Sequence, residues 1–521
     1  MYLSPALMKE EQPSLEIETR SGYLVRLAVL LWVMGIAAFH LGAAMKGRSI
    51  YRDQHLGTAL EYSKGPINLL KPIVVGFNLN EAPTPQELPI WQAATALVFK
   101  LLGTWFGWAN VVSMLLFFSC LYPLFRLAES FAGSGTGWWT LLLFLAQPIV
   151  FIGAGEGSPD GLSIATTVWF MFFATKLWSD PTVLWLILTI VAGTLSAVFK
   201  LPFFMAAGFG CCFMTLKDFR AKKDVVLRLA LAAVVIGVGF YFWQRYVNRC
   251  YTQAELPFVD LRMSNPEEFK WFFGDLKYRL SPQVWIKGAW RVLTTLFGSF
   301  LLAGLFFLSF LVKSSSRLGR WWLVGGMLTT FIFFHVVLHH SHYYFMFAPP
   351  VAILSAAVAT HLETAFIALA PGKERYAIII VVFSLALSTV QGILGQHVFL
   401  FLDDYPYAMS KVIQQYTRQP DKLVIQGGGW GGQLLFLADR KGLTVWDTKL
   451  LEDHSIYDRL RRLGFNKLVM VSETPLLTAV RHAHETSGTM KRESYEAATT
   501  PIVKTLPTIF QNEDILIKEL P

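Results

Sequence analysis

The stretch SIYRDQHLGTALEYS, Ser49 to Ser63, follows the first long apolar run and sets Asp53 beside Arg52, Gln54 and His55. A carboxylate flanked by hydrogen-bond donors at a membrane surface suits general-base chemistry, the removal of a proton from a hydroxyl about to act as a nucleophile. Other groups of the right type recur where apolar runs begin or end. Glu87 precedes the run ELPIWQAATALVFK, Asp160 opens another in EGSPDGLS, and Lys200 closes one in AVFKLPFF. His339, His340, His342, Tyr343 and Tyr344 crowd the mouth of a late one in HHSHYYFM. The run interiors hold almost no ionisable groups. Titratable residues gathered at one membrane boundary are a functional-site expectation, although each alone could be a solvated loop residue.

Three of these features have a plainer reading that stays open. Lys200 stands before Pro202, which cannot continue the preceding helix, so its ammonium could snorkel to headgroups or hold an anionic lipid phosphate. Asp160 after Pro159 fits an N-cap carboxylate. The histidines suit zinc as neutral imidazoles. No carboxylate or cysteine lies beside them at ligand spacing, so hydrogen bonding to phosphate or sugar hydroxyls is expected and no metal.

The elements that must position these groups are membrane spans. Of 521 residues, 54% are hydrophobic and only 16% are charged, against roughly a quarter in soluble proteins. About eleven runs approach the roughly 20 residues needed to cross a bilayer: 22–44, 98–125, 137–153, 161–178, 182–199, 201–216, 226–246, 292–312, 320–338, 343–366 and 376–396. The polar start of the chain has no signal-peptide pattern, so the first run is expected to remain as a span. The four cysteines give no disulfide framework.

The net charge of +9 collects in short loops and is expected to set topology, not to bind nucleic acid. Arg126, Lys176, the cluster from Lys217 to Arg228, the cluster from Lys313 to Arg320, and Lys373 with Arg375 sort to one side. The short loops GAGEGSPD and HHSHYY on the other side have no Lys or Arg. By the positive-inside rule the N-terminus is cytoplasmic. The long loops 45–91 and 247–290 and the tail from 397 then face outward, in an inner (plasma) membrane. NPEEFKWFFGDLKYRLSPQVWIKGAW mixes aromatic and basic residues at helical spacing and reads as an interfacial helix or an ordinary loop helix. The chain thus divides into a membrane domain, 1–396, and a small soluble α/β domain, 397–521, whose strands KLVIQ, LTVW, KLVMVS and DILIKEL alternate with helical patterns.

With these residues placed, the chain resembles the GT-C superfamily of integral-membrane glycosyltransferases, in the branch of protein O-mannosyltransferases and the aminoarabinose transferase of lipid A. YRDQ after the first span, ELPIWQAATALVFKLLG, SPDGLSIA and HHSHYYFMFAPPVAIL carry the resemblance in that order, and LVIQGGGWGGQLLFLADRKGL is similar to the small exported domain of bacterial members. The resemblance implies transfer of a sugar from a polyprenyl-phosphate donor to a lipid, glycan or protein acceptor at the outer face, without a cofactor. Asp53 matches the catalytic base. Lys200 and the His/Tyr mouth match positions near the lipid phosphate, and Glu87 an acidic position before the junction Pro; RDQ in place of a paired acidic motif speaks against the metal-dependent mode. One base and a good phosphate leaving group suffice for a single displacement with inversion.

Three alternatives stand beside it, one of them a non-catalytic membrane scaffold whose exported domain binds a partner, against which only the clustered ionisable groups speak. A transporter or flippase of lipid-linked sugars would show internal repeats and broken polar helices at mid-membrane; no repeat is visible. Gly427, Gly429 and Gly432, with Asp447 20 residues beyond the first, match a dinucleotide fingerprint. An outward-facing domain has no nicotinamide pool, and a glycine-rich turn is the commoner origin of the pattern.

Overall fold

The computed structural model describes residues 20–49, 51–216, 222–255, 265–312, 316–395, 404–427, 432–445, 451–472 and 501–520. Apolar helices make up most of it: α1 (Arg20–Met45), α2 (Asp53–Lys64), α3 (Ile90–Leu102), α4 (Gly107–Phe118), α5 (Leu121–Ala132), α6 (Thr136–Leu145), α7 (Pro148–Gly153), α8 (Asp160–Ser179), α9 (Val183–Phe199), α10 (Leu201–Leu216) and α11 (Lys223–Gln253). There follow α12 (Pro266–Phe273), α13 (Leu276–Leu280), α14 (Pro282–Arg291), α15 (Phe300–Leu308), α16 (Arg317–Ile332), α17 (Phe334–His339), α18 (Ala348–Leu369) and α19 (Glu374–Gly395). Among the described residues, five helical stretches are long and apolar enough to cross a bilayer, and Pro282–Phe297 with Phe300–Leu308 forms one pair bent by 97°.

Several predicted runs are interrupted, each at a residue whose chemistry explains it. The 98–125 run falls across three helices, the end of α3, all of α4 and the start of α5, and Gly103 ends α3 with φ 86°. Pro148, which lacks an N–H, separates α6 from α7. Gly298, at φ 64°, sets the bend before α15. The stretch read as one interfacial helix is three short ones, broken at Gly274 (φ 71°) and at Ser281–Pro282.

Helix direction fixes which groups share an end. α8 runs away from Asp160, α9 returns to Lys200, and α10 leaves again. The loops after α8 and α10 therefore lie roughly 30 Å from the first turn of α8, the length of twenty helical residues. There Lys222 donates to Trp178 O, Arg228 to Pro181 O and Arg317 to Met214 O. Lys222, Arg228 and Arg317 thus gather at the end away from Asp160 and Lys200, as their loop pattern predicted; Lys217, Arg220 and Lys313 lie outside the described residues.

At the Asp160 end sits a small sheet unit: α20 (Tyr405–Tyr416), β1 (Lys422–Gln426), α21 (Gln433–Leu437), β2 (Lys441–Val445), α22 (His454–Arg462), β3 (Phe465–Val471), β4 (Thr508–Gln511) and β5 (Ile515–Glu519). The strand order is β2-β1-β3-β5-β4, with the first three parallel and β5 antiparallel to both neighbours. KLVIQ and KLVMVS form strands as their β-rich composition predicts; LTV of LTVW ends β2 and ILIKE of DILIKEL is β5. β4 had no such signal. The helical pattern PLLTAVRHAHETSG lies outside the described residues.

Candidate active site

The site is built on the turn GAGEGSPD, between α7 and α8. It folds back on the segment before α2: Tyr51 bridges Gly157, and Arg52 N–H donates to Gly157 O at 3.1 Å. Asn110 Nδ2 donates to Gly155 O at 2.7 Å from the other side. The glycines are required by closeness. A Cβ on Gly155 would stand 2.4 Å from the His40 ring, and one on Gly157 2.8 Å from Tyr51 Cβ. The turn thereby brings its two carboxylates to the arginine beside Asp53.

Asp160 is 1% exposed and lies between two cations. Arg52 Nη2 stands 2.6 Å from its Oδ2, and Lys200 Nζ donates to its Oδ1. It does not cap α8 as the sequence suggested: Pro159 holds the N-cap position, and ion pairing claims the carboxylate. Arg52 Nε also donates to Glu156 Oε1 at 3.1 Å. Burial opposes the guanidinium charge, but Asp160 and Glu156 outweigh it and raise its pKa further. Lys200 is held where α9 breaks into α10, its N–H on Ser196 O and its C=O receiving Phe203 N–H. Its ammonium lies 5.1 Å over the Tyr343 ring and 5.6 Å over the Phe203 ring, contacts that favour a cation.

A second group adjoins the first. Gln92 Nε2 donates to His55 Nδ1 at 3.1 Å, which leaves the imidazole proton on Nε2, 3.3 Å from Glu87 Oε1. Burial, reinforced by Arg52, pushes His55 down to about 3, so the ring is neutral. Burial pushes Glu87 up to about 7, against the pull of Lys200 and Arg52. His55, Gln86, Glu87 and Gln92 line a small cavity in which Gln86 Nε2 and Gln92 Oε1 have no partner among the described residues.

The HHSHYY segment reaches this cluster in part. Tyr343 and His342 turn toward Lys200, with ring centroids 4.6 Å apart, and His340 packs 5.2 Å from His342. Burial, with His339 close by, pushes His340 down to about 3, so it too is a neutral hydrogen-bonding group. His339 instead stacks on His335 and meets Trp271 edge to face at the surface, where Arg291 Nη1 donates to Leu338 O and His339 O. Tyr344 points into the main hydrophobic core, its hydroxyl without a partner among the described residues. Among the described residues no group of three or more His, Cys, Asp or Glu is arranged to hold a metal ion, and no step of the chemistry is assigned to one.

Arg52, His55, Glu87, Asp160, Lys200, His340, His342 and Tyr343 thus meet in one place, while His339 and Tyr344 do not. Asp53 opens α2 directly after Arg52; its side chain lies outside the described residues. Glu156 and Gln92 escaped the sequence reading. Their only signals were an acidic residue in a loop otherwise free of Lys and Arg, and a lone amide at the start of an apolar run. The arrangement gathers two cations and neutral donors, groups suited to binding a phosphate, beside Glu87, whose raised pKa lets it carry a proton.

No protein-family model and no curated protein matches the sequence. Solved structures do match in shape. ArnT from Cupriavidus metallidurans in the apo state superposes with a TM-score of 0.58 at 15% identity, over 95% of this chain and 98% of that one. The same ArnT bound to undecaprenyl phosphate gives 0.58 at 14% identity, over 94% and 98%. An Archaeoglobus fulgidus oligosaccharyltransferase, complexed with Zn and sulfate, gives 0.55 at 11% identity, over 86% and 68%. The chain therefore has the GT-C fold, nearly end to end with ArnT.

Proposed function

We propose that this chain is an inverting glycosyltransferase that moves a sugar from a polyprenyl-phosphate-linked donor to an acceptor hydroxyl. Asp53 takes the hydroxyl proton as the acceptor oxygen bonds to the anomeric carbon. The bond from that carbon to the phosphate oxygen breaks, and its electron pair leaves with the lipid phosphate. One in-line displacement inverts the anomeric centre. Arg52 and Lys200 stabilise the departing phosphate, with His340, His342 and Tyr343 as neutral donors around it. Glu87, His55 and Asp160 hold these groups in place. The membrane domain 1–396 carries the reaction and 397–521 forms the soluble unit. The site faces outward from the plasma membrane with the N-terminus cytoplasmic, a reading supported by the basic loops at the far end.

The observation that carries the proposal is the buried Arg52–Asp160–Lys200 cluster at the sheet-unit end of a GT-C fold. ArnT, similar over its whole length, is a protein that binds undecaprenyl phosphate, which supports a lipid-linked donor here. Mass spectrometry of envelope lipids and glycans, with and without the chain, tests it. A sugar-modified species should vanish on deletion and return with the wild-type chain. Identical profiles in all strains would remove the proposal.

A further inference from the structure

The sheet unit and the loop between α2 and α3 exchange side chains. Leu79 of that loop is 2% exposed and belongs to one core of the sheet unit, with Val424, Leu443 and Leu468. Val75 packs on the unit's other core, around Leu423 and Leu435. In return Phe436, on α21, packs into the membrane domain's cluster of Tyr51, Leu56 and Leu60, its ring centroid 6.0 Å from Tyr51 and 6.2 Å from Phe106. Such mutual burial makes the two units one packed body, because neither apolar surface is covered without the other.

The backbones meet as closely. Gly76 bridges Leu443 on β2, the edge strand, and Thr444 N–H donates to Gly76 O at 3.0 Å. Gly76 (φ 85°) would set a Cβ 2.8 Å from Thr444 Oγ1, and Gly432 (φ 71°) would set one 2.7 Å from Val75 O. Only glycine meets both the dihedral and the distance. Lys64–Asp439 at 2.8 Å and Glu81–Lys441 at 3.2 Å rim the contact; being exposed, each contributes little.

These contacts converge on α2. Gln433 Nε2 donates to Tyr51 Oη at 3.3 Å, one residue before Arg52. Gly57, mid-helix, faces both Phe436 and Val75, each 3.5 Å from where its Cβ would be. The glycine pattern that resembles a dinucleotide fingerprint is used here as well. Gly432 fits Val75, Gly427 lies against Val471 O, and Gly429 lies outside the described residues. Residues 75–76 thus lie against the end of the sheet where such a domain takes its nucleotide.

We infer that the C-terminal sheet unit is a positioning clamp for segment 51–64, acting through Phe436, Gly432 and Leu79, and that its glycine-rich turn serves this contact. Phe436, Gln433 and Leu79 are positioning residues for the site. Their effect on transfer rests on the reading under Proposed function; the clamp itself does not.

Amide hydrogen exchange on the full-length protein in lipid nanodiscs tests it independently of any reaction. Phe436→Ala should speed exchange in residues 53–64 on the order of tenfold and leave α8 and α18 unchanged. Phe436→Leu should restore most of the protection. Gln433→Ala, which removes only the bond to Tyr51, should act in the same direction and keeps the test open if the cavity variant fails to fold. With an active transfer assay, the same variants should lower kcat more than they raise KM. Unchanged exchange in 53–64 for both variants, or equal loosening of α8 and α18, overturns the clamp whatever the activity. Absence of transfer by the wild type would overturn the transferase reading alone.

Discussion

At the scale of single residues, Asp160 decides the site. A buried carboxylate between two cations tolerates no deletion, because an uncompensated charge then stays out of water. Asp160→Asn removes the carboxylate that Arg52 and Lys200 share and leaves Arg52 its bond to Glu156. It should destabilise the protein by about 3–5 kcal/mol, read as a lowered thermal midpoint in detergent. Lys200→Ala should weaken binding of undecaprenyl phosphate roughly tenfold, measured by titration; unchanged affinity would count against its phosphate role. Glu87 sets a pH dependence. Its ordinary value is 4.5 and the folded value about 7, so the folded state favours the neutral acid. The resulting stability is complete below about pH 4.5 and is lost as pH rises through 7. Thermal midpoints of wild type and Glu87→Gln, compared across that window, should diverge by the equivalent of at most about 3 kcal/mol, the wild type losing ground as pH rises. The types of Arg52, Lys200 and Asp160 were legible because charges beside apolar runs need a reason. Their mutual pairing was not, since Arg52 and Asp160 are brought together by a turn-to-segment bridge that leaves no periodic trace.

At the scale of elements, the turn 153–160 is the part most sensitive to shape. Gly157→Val should displace Tyr51 and Arg52 and lower transfer strongly, because its Cβ would stand 2.8 Å from Tyr51 Cβ. Rising accessibility of a probe at Tyr51 checks the cause. Apolar runs revealed where helices exist but not where they break. The hydropathy of 292–312 continues through Gly298, and only the backbone shows the 97° bend there. The break at Lys200 was legible because Pro202 announces it. The alternation inside HHSHYY was not: a 3-10 stretch, Ser341–Phe347, sends Tyr343 to Lys200 and Tyr344 to the core, which a run of like residues cannot reveal.

At the scale of the molecule, a polytopic helical membrane protein and the existence of the sheet unit could be read from composition and from strand-helix alternation, and the GT-C type from the resemblance. The interlock between that unit and the loop after α2 could not, since Leu79 and Phe436 look like ordinary core residues of their own segments. The basic loops, one helix length from the ion cluster, support an outward site, and proteolysis of right-side-out vesicles should remove the sheet unit. The most direct measurement of the central claim is transfer by full-length Asp53→Asn in nanodiscs supplied with polyprenyl-phosphate sugar. Undecaprenyl phosphate should bind as in the wild type, with an unchanged thermal midpoint and product formation lost. Full product formation by that variant would contradict the assignment of the base and, with it, the mechanism.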